Sequence, residues 1–449
     1  AGAGDIDLQA AVGSGPALTS VTVNSATTAR FGGNVTTSGV QDITAGTIQT
    51  NGTHTTTNSD VDFTGAVVLQ AGTTVTTGGG GVGDITFSST VTGAGQTLGL
   101  TAGTGNVIFG GQVGQVAPNR LGGITINSAT NVAGDAGAGS DAGSIYAAGV
   151  TQSAGTGTTR LGLVNLSGAM SLTTTAAIDL NGTITAPGGF SSSGTTFDNT
   201  GGTISTTNTA LSITHTDAVT IGAALDSGDA GAGGAISVTT TANGVSVDAS
   251  IDSGSPGAGG VLNVSGGGVT INTSPTVGDE DITLNGGGAN ISVPGNLVLT
   301  ADTTFTATGT VTFGGTINTD GDDFWTLAVN GDGTTTFNGA VGNTNPLGAL
   351  STNAAGDVTL SGGSIETDPA GGDSGAVTIN DAATLGAGLT VTTNDGDITF
   401  ASTVDGAQTL GLTAGAGDID LQAAVGSGPA LTSVTVNSAT TARFGGNVT

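Results

Sequence analysis

The sequence predicts an all-β fold: a parallel β-helix, expected to be right-handed, built as a continuous repeat array with essentially no helix. Three observations predict it. Short strand-like triplets recur along the whole chain, long segments recur with insertions confined to Gly- and Pro-rich points, and the composition favours strands and tight turns.

The triplets have apolar outer residues, as in Val21–Val23, Ile85–Phe87 and Val377–Ile379. Alternation at a period of two turns the outer side chains inward and the central one outward. Gly, Asn, Asp or Ser bounds each triplet, as turns require. Strands this short are not stable as hairpins, but in a parallel coil each gains hydrogen-bonded neighbours above and below. No window shows a capped helical stripe of apolar residues, so we expect stacked coils throughout.

The composition favours the same fold and excludes several kinds of partner. The 449 residues include 85 Gly and no Cys, and the net charge is −29. This charge disfavours nucleic acid and anionic membranes as partners. No run approaches 18 apolar residues, so no membrane span is predicted. Without Cys the chain forms neither disulfides nor thiolate metal sites.

A duplicated stretch organises the chain. Residues 1–36 and 414–449 are identical, so the sequence restarts after 413 residues. A closed domain has no physical reason to repeat its own beginning at its end. In a repeat array, by contrast, each unit buries its ends against the next unit. We expect 1–449 to be one continuous β-solenoid, with 1–413 a full repeat unit and 414–449 the start of the next identical unit. The chain would then be a window on a longer polymer, and the duplicated stretch a seam rather than a site.

Shorter repeats lie inside the long unit. Residues 217–238 recur 26 positions later, which is about one solenoid turn with a loop. At about 20–26 residues per coil and about 4.8 Å between strands, the long unit would hold about 16–20 coils. The sub-repeats lie near 84–132, 217–264, 311–365 and 397–441.

An Asn recurs in the NSAT segments of these repeats, at Asn24, Asn127 and Asn437. It could stack on an Asn of the adjacent coil at a corner of the solenoid. A plain turn residue is the preferred interpretation.

Three segments carry a resemblance to a known family: DITF-x-STV-x-GAQTLGLTAG-x-G over 397–417, PALTSVTVNSAT over 429–440 and FGGNVTTSG over 31–39. They resemble the strand repeats of large bacterial surface proteins, the filamentous-haemagglutinin-like or β-strand-repeat adhesins. The resemblance covers roughly half of the chain. It implies a secreted, elongated, right-handed β-helix used in adhesion or surface coats, and it transfers no catalytic residue.

Carboxylate clusters are the candidates for catalysis, because β-helices also host polysaccharide lyases and glycosidases. General acid–base work would need carboxylates brought together from several coils. Solvated strand or turn Asp is the preferred interpretation. The clusters are Asp5 and Asp7, repeated as Asp418 and Asp420; Asp279, Glu280 and Asp281; and Asp320, Asp322 and Asp323.

Metal sites are weakly supported. The stretch 318–322 resembles a calcium loop, but it lacks Gly at the sixth place and has Val329 at the twelfth, where an EF-hand has Glu. His54 and His215 each lack a second His nearby, so zinc is not expected.

Other patterns favour ordinary structural roles. The glycines at 79–81 and 266–268 are followed by no Lys-Ser/Thr, so they are not phosphate loops. Trp325 could be a sugar-stacking platform, but core or edge packing is preferred. The Thr runs at 55–57 and 334–336 suggest ice binding, yet their spacing is too irregular for a flat array.

The leading hypothesis is a non-enzymatic structural protein, secreted to the cell surface, that forms or extends a fibre, sheath or long adhesin. Its expected partners are further copies of itself, end to end or within a filament, and surface or matrix glycans. No catalytic, cofactor-binding or metal residue is assigned. Two alternatives stay open: a β-helix carbohydrate-active enzyme, and a glycan- or ice-binding adhesin segment.

Overall fold

The computed structural model describes a chain of β-strands. It covers residues 2–78, 80, 82–228, 234, 236–241, 245–247, 249, 251–252, 262–265, 269–271, 282–285, 291–293, 295–299, 302–307, 309–319, 321, 324–368 and 374–449. None of these residues lies in a helix, so none is in a helix long and apolar enough to span a membrane. Two compact units are present, Ala1–Thr216 and Asp217–Thr449.

The first unit is built from short strands separated by turns. They are β1 Ile6–Leu8, β2 Val21–Val23, β3 Thr28–Phe31, β4 Val35–Thr36, β5 Gln41–Thr50, β6 Thr53–Thr55, β7 Val61–Leu69, β8 Thr73–Thr76, β9 Ile85–Phe87, β10 Val91–Thr92, β11 Leu98–Thr101, β12 Val107–Phe109, β13 Leu121–Ser128, β14 Val132–Ala133, β15 Ile145–Gln152, β16 Thr159–Leu161, β17 Val164–Leu166, β18 Met170–Thr173, β19 Ile178–Leu180, β20 Ile184–Thr185, β21 Phe190–Gly194, β22 Phe197–Asp198, β23 Ile204–Ser205 and β24 Leu211–His215.

These strands pair in parallel and form three stacks, one on each side of the coil. One stack runs from β2 through β5, β7, β9, β12, β14, β16 and β19 to β22. A second runs from β4 through β6, β8, β11, β13, β15, β18 and β21 to β24. The third links β1, β3, β5, β7 and β10, and later β15, β17, β20 and β23. This is a β-solenoid.

The second unit has the same architecture. Its strands are β25 Val219–Ile221, β26 Leu225–Asp226, β27 Ile236–Thr240, β28 Val245–Val247, β29 Ile251–Asp252, β30 Leu262–Ser265, β31 Val269–Ile271, β32 Ile282–Asn285, β33 Ile291–Val293, β34 Leu297–Leu299, β35 Thr303–Ala307, β36 Val311–Phe313, β37 Ile317–Thr319, β38 Thr326–Gly331, β39 Thr334–Phe337, β40 Ala349–Thr352, β41 Asp357–Leu360, β42 Ser364–Thr367, β43 Val377–Ile379, β44 Ala382–Leu385, β45 Leu389–Thr393, β46 Ile398–Phe400, β47 Val404–Asp405, β48 Thr409–Thr413, β49 Ile419–Leu421, β50 Ser433–Ser438 and β51 Ala442–Phe444.

Parallel stacks again define the second unit. One runs from β25 through β28, β31, β33, β36, β39, β41 and β44 to β47. Another runs from β27 through β30, β32, β35, β38, β40, β43, β46 and β49 to β51. The predicted fold class, an all-β parallel β-solenoid, is confirmed. Its right-handedness stays a prediction.

The core is formed by the outer residues of the triplets, as the alternation of apolar residues predicts. In β9 the outer residues Ile85 and Phe87 are buried, at 0% and 1% exposure, while Thr86 between them is half-buried. In-register pairing then places similar side chains above one another in successive coils. The rings of Phe63 and Phe87 stack with centroids 5.2 Å apart, and those of Phe87 and Phe109 at 5.7 Å. Apolar columns of this kind exclude water from the interior and supply most of the driving force for folding.

Side chains at one corner of the first unit form a polar ladder. The carboxylate of Asp60 accepts the backbone N–H of Asp84 at 2.8 Å, and the carboxylate of Asp84 accepts that of Asn106 at 2.7 Å. The Asn106 oxygen accepts the N–H of Asn131 at 3.1 Å, and the Asn131 oxygen accepts that of Thr158 at 2.8 Å. Each of these side-chain oxygens accepts a hydrogen bond from a backbone N–H just before a strand begins. An unpaired N–H donor at that place would be unfavourable.

Two of the three NSAT asparagines differ from both interpretations, whereas Asn24 lies outside the strands, between β2 and β3. Asn127 in β13 and Asn437 in β50 are each skipped by the register of the neighbouring strand, so both are bulged strand residues. Their amide groups donate to the hydroxyls of Thr101 at 3.0 Å and Thr413 at 3.1 Å. For Asn127 and Asn437 neither the Asn stack nor the plain turn residue was right, because the bulge turns the amide toward a Thr in the preceding coil.

Candidate functional site

The carboxylates proposed as catalytic candidates bind neighbouring coils. The carboxylate of Asp5 accepts the backbone N–H of Thr28 at 3.0 Å, and Asp7 lies 3.7 Å from the guanidinium of Arg30. In the second unit Asp420 repeats that pairing with Arg443 at 3.9 Å. Asp279, Glu280, Asp281, Asp320, Asp322 and Asp323 lie outside the described residues. Within the described part of the chain, no three His, Cys, Asp or Glu side chains are grouped so as to hold a metal.

His54 is a core residue with a defined tautomer. The Gln41 amide nitrogen donates to two backbone carbonyls, those of Val35 and Thr55, so its oxygen is the acceptor left for the His54 Nδ1–H at 2.8 Å. Nε2 is then unprotonated and accepts from the Thr50 hydroxyl at 2.7 Å. Burial lowers the pKa of His54 to about 4. The imidazole is neutral and both nitrogens are engaged, which is unlike a metal ligand.

The remaining candidates are also partly or wholly inside the solenoid. His215 is 1% exposed, and its Nε2 lies 3.2 Å from the Ser192 hydroxyl. Trp325 is half-buried beside β38, and its indole nitrogen is shielded from solvent. In both Thr runs the central residue points inward, with Thr56 at 2% and Thr335 at 0% exposure. Among these residues, only the outer Thr of each run are left to face solvent.

The duplicated stretch folds with one register in both units. In the first unit β1 pairs with β3, which places Ile6 beside Ala29. In the second unit β49 pairs with β51, which places Ile419 beside Ala442. Identical sequence therefore gives identical local structure in two places along the chain, and any difference between the copies arises from their neighbours.

The upper face of a copy is the face on which the next coil of the chain would stack. This face differs sharply in exposure between the two copies. In the first copy β5 and β6 stack on that face, and its apolar side chains are buried. In the second copy the same side chains are open to solvent. Val23, Phe31 and Val35 are 6%, 1% and 0% exposed, whereas their equivalents Val436, Phe444 and Val448 are 37%, 44% and 48% exposed.

The lower faces show the opposite difference. Leu18 is 44% exposed in the first copy, and its equivalent Leu431 is 9% exposed in the second. The cause is the stacking of β46 and β48 under the second copy, which buries Ile419 completely while Ile6 stays half-buried. Each copy is therefore covered on one face only. The first copy is covered from above by β5 and β6, and the second is covered from below by β46 and β48.

No family model, curated protein or solved structure matches this chain. The resemblance to surface adhesins therefore remains one of short motifs.

Sequence reasoning found the duplication and the inward-facing positions, but it missed the polar contacts inside the coils. The clearest case is the buried pair of His54 and Gln41, whose side chains are hydrogen-bonded at 2.8 Å. Period-two alternation marks inward positions, but it does not show which polar side chains meet there.

Proposed function

We propose that this chain is a non-enzymatic structural protein that forms or extends an extracellular surface fibre, sheath or long adhesin by associating with copies of itself. The observation that supports the proposal is that one coil geometry recurs along the chain: the duplicated stretch pairs β1 with β3 and β49 with β51 in the same register. Units that repeat in this way are stabilised by contacts with the neighbouring unit.

The mechanism is geometric. A coil of one chain that stacks on a coil of another would continue the parallel hydrogen-bond ladder and bury apolar side chains, as β5 covers Val23 and Phe31 within this chain. The net charge of −29 would oppose side-by-side contact between the resulting fibres, so that growth proceeds along the stack. Secretion to the cell surface is the setting that the adhesin-like motifs favour.

Self-association is tested by sedimentation velocity over a range of chain concentrations. We expect the average mass of the wild-type chain to rise with concentration above the 42.1 kDa of one chain.

A wild-type chain that stays single at all concentrations would refute self-association. Turnover of polysaccharides by the purified chain would contradict the non-enzymatic proposal.

A further inference from the structure

A buried carboxyl group lies at one corner of the second unit. Asp381 stands between β43 and β44 and is 2% exposed. The residues two positions before and after it, Ile379 and Ala383, belong to the core at 0% and 2% exposure. The carboxyl group of Asp381 is therefore inside the coil, where a charge is far less favourable than in water.

The corner that holds Asp381 is shorter than the same corner of the preceding coil. Ser351 pairs with Thr378 in β40 and β43, and Asp357 pairs with Ala382 in β41 and β44. Between these paired positions the preceding coil has residues 352–356 and the coil of Asp381 has residues 379–381, which is five residues against three. The shorter connection runs closer to the core, and Asp381 is buried in it.

The Asp381 carboxyl group also lacks hydrogen bonds. Neither of its oxygens accepts one from the described residues, and both oxygens are shielded from solvent. The hydroxyl of nearby Thr352 accepts the backbone N–H of Asn380 at 3.1 Å and donates to the carbonyl of Asn353 at 3.5 Å. An ionised carboxylate at this place would lose the hydrogen bonds that it accepts in water.

The sequence offers no nearby cation to Asp381. It contains no Lys or Arg between Arg160 and Arg443. Arg443 lies three strands further along the stack of β43, β46, β49 and β51, about 14 Å away at about 4.8 Å per strand, and it pairs with Asp420. The titratable side chains on the strands and turns around Asp381 are acids: Asp357 in β41, Glu366 in β42, Asp368 after β42, Asp397 before β46 and Asp405 in β47.

We propose that Asp381 holds a proton inside the solenoid, which makes the corner between β43 and β44 a pH-sensitive element of the second unit. The neutral acid is compatible with the core. Ionisation places an unpaired charge there and loosens the contact of β43 and β44 with the preceding coil. The inference goes beyond the proposed function and does not depend on self-association.

The direction of the pH dependence follows from the environment of the carboxyl group. Burial raises the pKa of Asp381, the Thr352 hydroxyl lowers it in part, and the charge of Asp357 raises it further. In the unfolded chain an Asp titrates at about 3.9. Above that pH the unfolded chain loses the proton first, so the stability that the proton provides is lost as the pH rises through the folded pKa. His54 in the first unit has the opposite effect, because its pKa is lowered.

Hydrogen exchange of the native protein between pH 3.5 and pH 7.5 tests the proposal. Asp381→Asn carries a neutral amide of similar size at every pH. After correction for the intrinsic exchange rate, exchange in β43 and β44 should rise with pH in the wild type by at least about tenfold more than in the variant, the effect of one pKa unit. Asp381→Ser, which is smaller and also neutral, should behave as Asp381→Asn does.

The matched control is Asp357→Asn, which removes an exposed carboxylate from the neighbouring strand β41. It should keep the pH profile of the wild type in β43 and β44. A control that loses the pH dependence as fully as Asp381→Asn does would overturn the proposal, as would equal profiles for the wild type and both Asp381 variants.

Infrared spectroscopy observes the proton itself. At pH 5, where exposed Asp is ionised, the spectrum of the wild type minus that of Asp381→Asn should contain the C=O band of a carboxylic acid. A carboxylate band in its place would overturn the proposal. So would a bound cation: slower exchange in β43 and β44 on adding calcium chloride, or on replacing choline by sodium, in the wild type but not in Asp381→Asn would assign the carboxylate to a metal ion.

Discussion

Replacing Phe87 by Ala is expected to destabilise the first unit by about 3–5 kcal/mol, the usual effect of emptying a buried aromatic site. The ring is 1% exposed and lies between those of Phe63 and Phe109, so removing it opens a cavity inside a continuous stack. The measurement is the free energy of unfolding in guanidinium chloride, with hydrogen exchange to locate the loss. Because stability in a stacked array comes from neighbouring coils, exchange should rise most in β7, β9 and β12.

Two substitutions make that experiment specific. Phe87→Leu keeps most of the apolar volume and should destabilise the unit clearly less than Ala does. Leu163→Ala removes a side chain that is 37% exposed and should have a small effect. Equal losses for Phe87→Ala and Leu163→Ala would mean that the aromatic stack is not a major part of the core.

Acidification is expected to destabilise the first unit through His54 by about 3 kcal/mol relative to a variant that cannot titrate there. Burial lowers the pKa of His54 from 6.5 to about 4 in the folded chain. Between these values only the unfolded chain takes up the proton, so stability falls as the pH drops below about 6.5. The loss is complete below about 4 and absent at neutral pH.

His54→Gln is the comparison, since its amide is neutral at every pH and can still form a hydrogen bond inside the coil. Subtracting the unfolding free energy of this variant from that of the wild type removes the titration of the many Asp residues, which both proteins share. The difference should become less favourable to the wild type from pH 7.5 to pH 4. A constant difference would show that His54 is not buried in its neutral form.

The alternation in the sequence was sufficient to predict the strands and their inward faces. Val21–Val23, Ile85–Phe87 and Val377–Ile379 are all strands, with their outer residues directed to the core. Asp7, placed on the solvent face, is exposed, and Ile6 beside it is more protected. These features follow from the alternation of side-chain direction with every residue, which is a property of each strand by itself.

The contacts between coils were not predictable in the same way. The partners in the Phe63, Phe87 and Phe109 stack depend on register, and the number of residues per coil varies: hydrogen-bonded residues of adjacent coils lie 20 apart at Ser171 and Ser191 but 24 apart at Asp60 and Asp84. The loops differ in length and account for this variation, so the strand sequences give no sign of how many residues a coil contains. The corner ladder and the bulges at the NSAT segments were missed for the same reason.

The central claim is that this chain associates with copies of itself into a fibre of stacked β-coils, and electron cryomicroscopy of the wild-type chain at associating concentration tests it most directly. We predict thin fibres of uniform width, with strands perpendicular to the fibre axis and spaced about 4.8 Å along it. Compact particles of a single size, or strands running along the fibre axis, would contradict it.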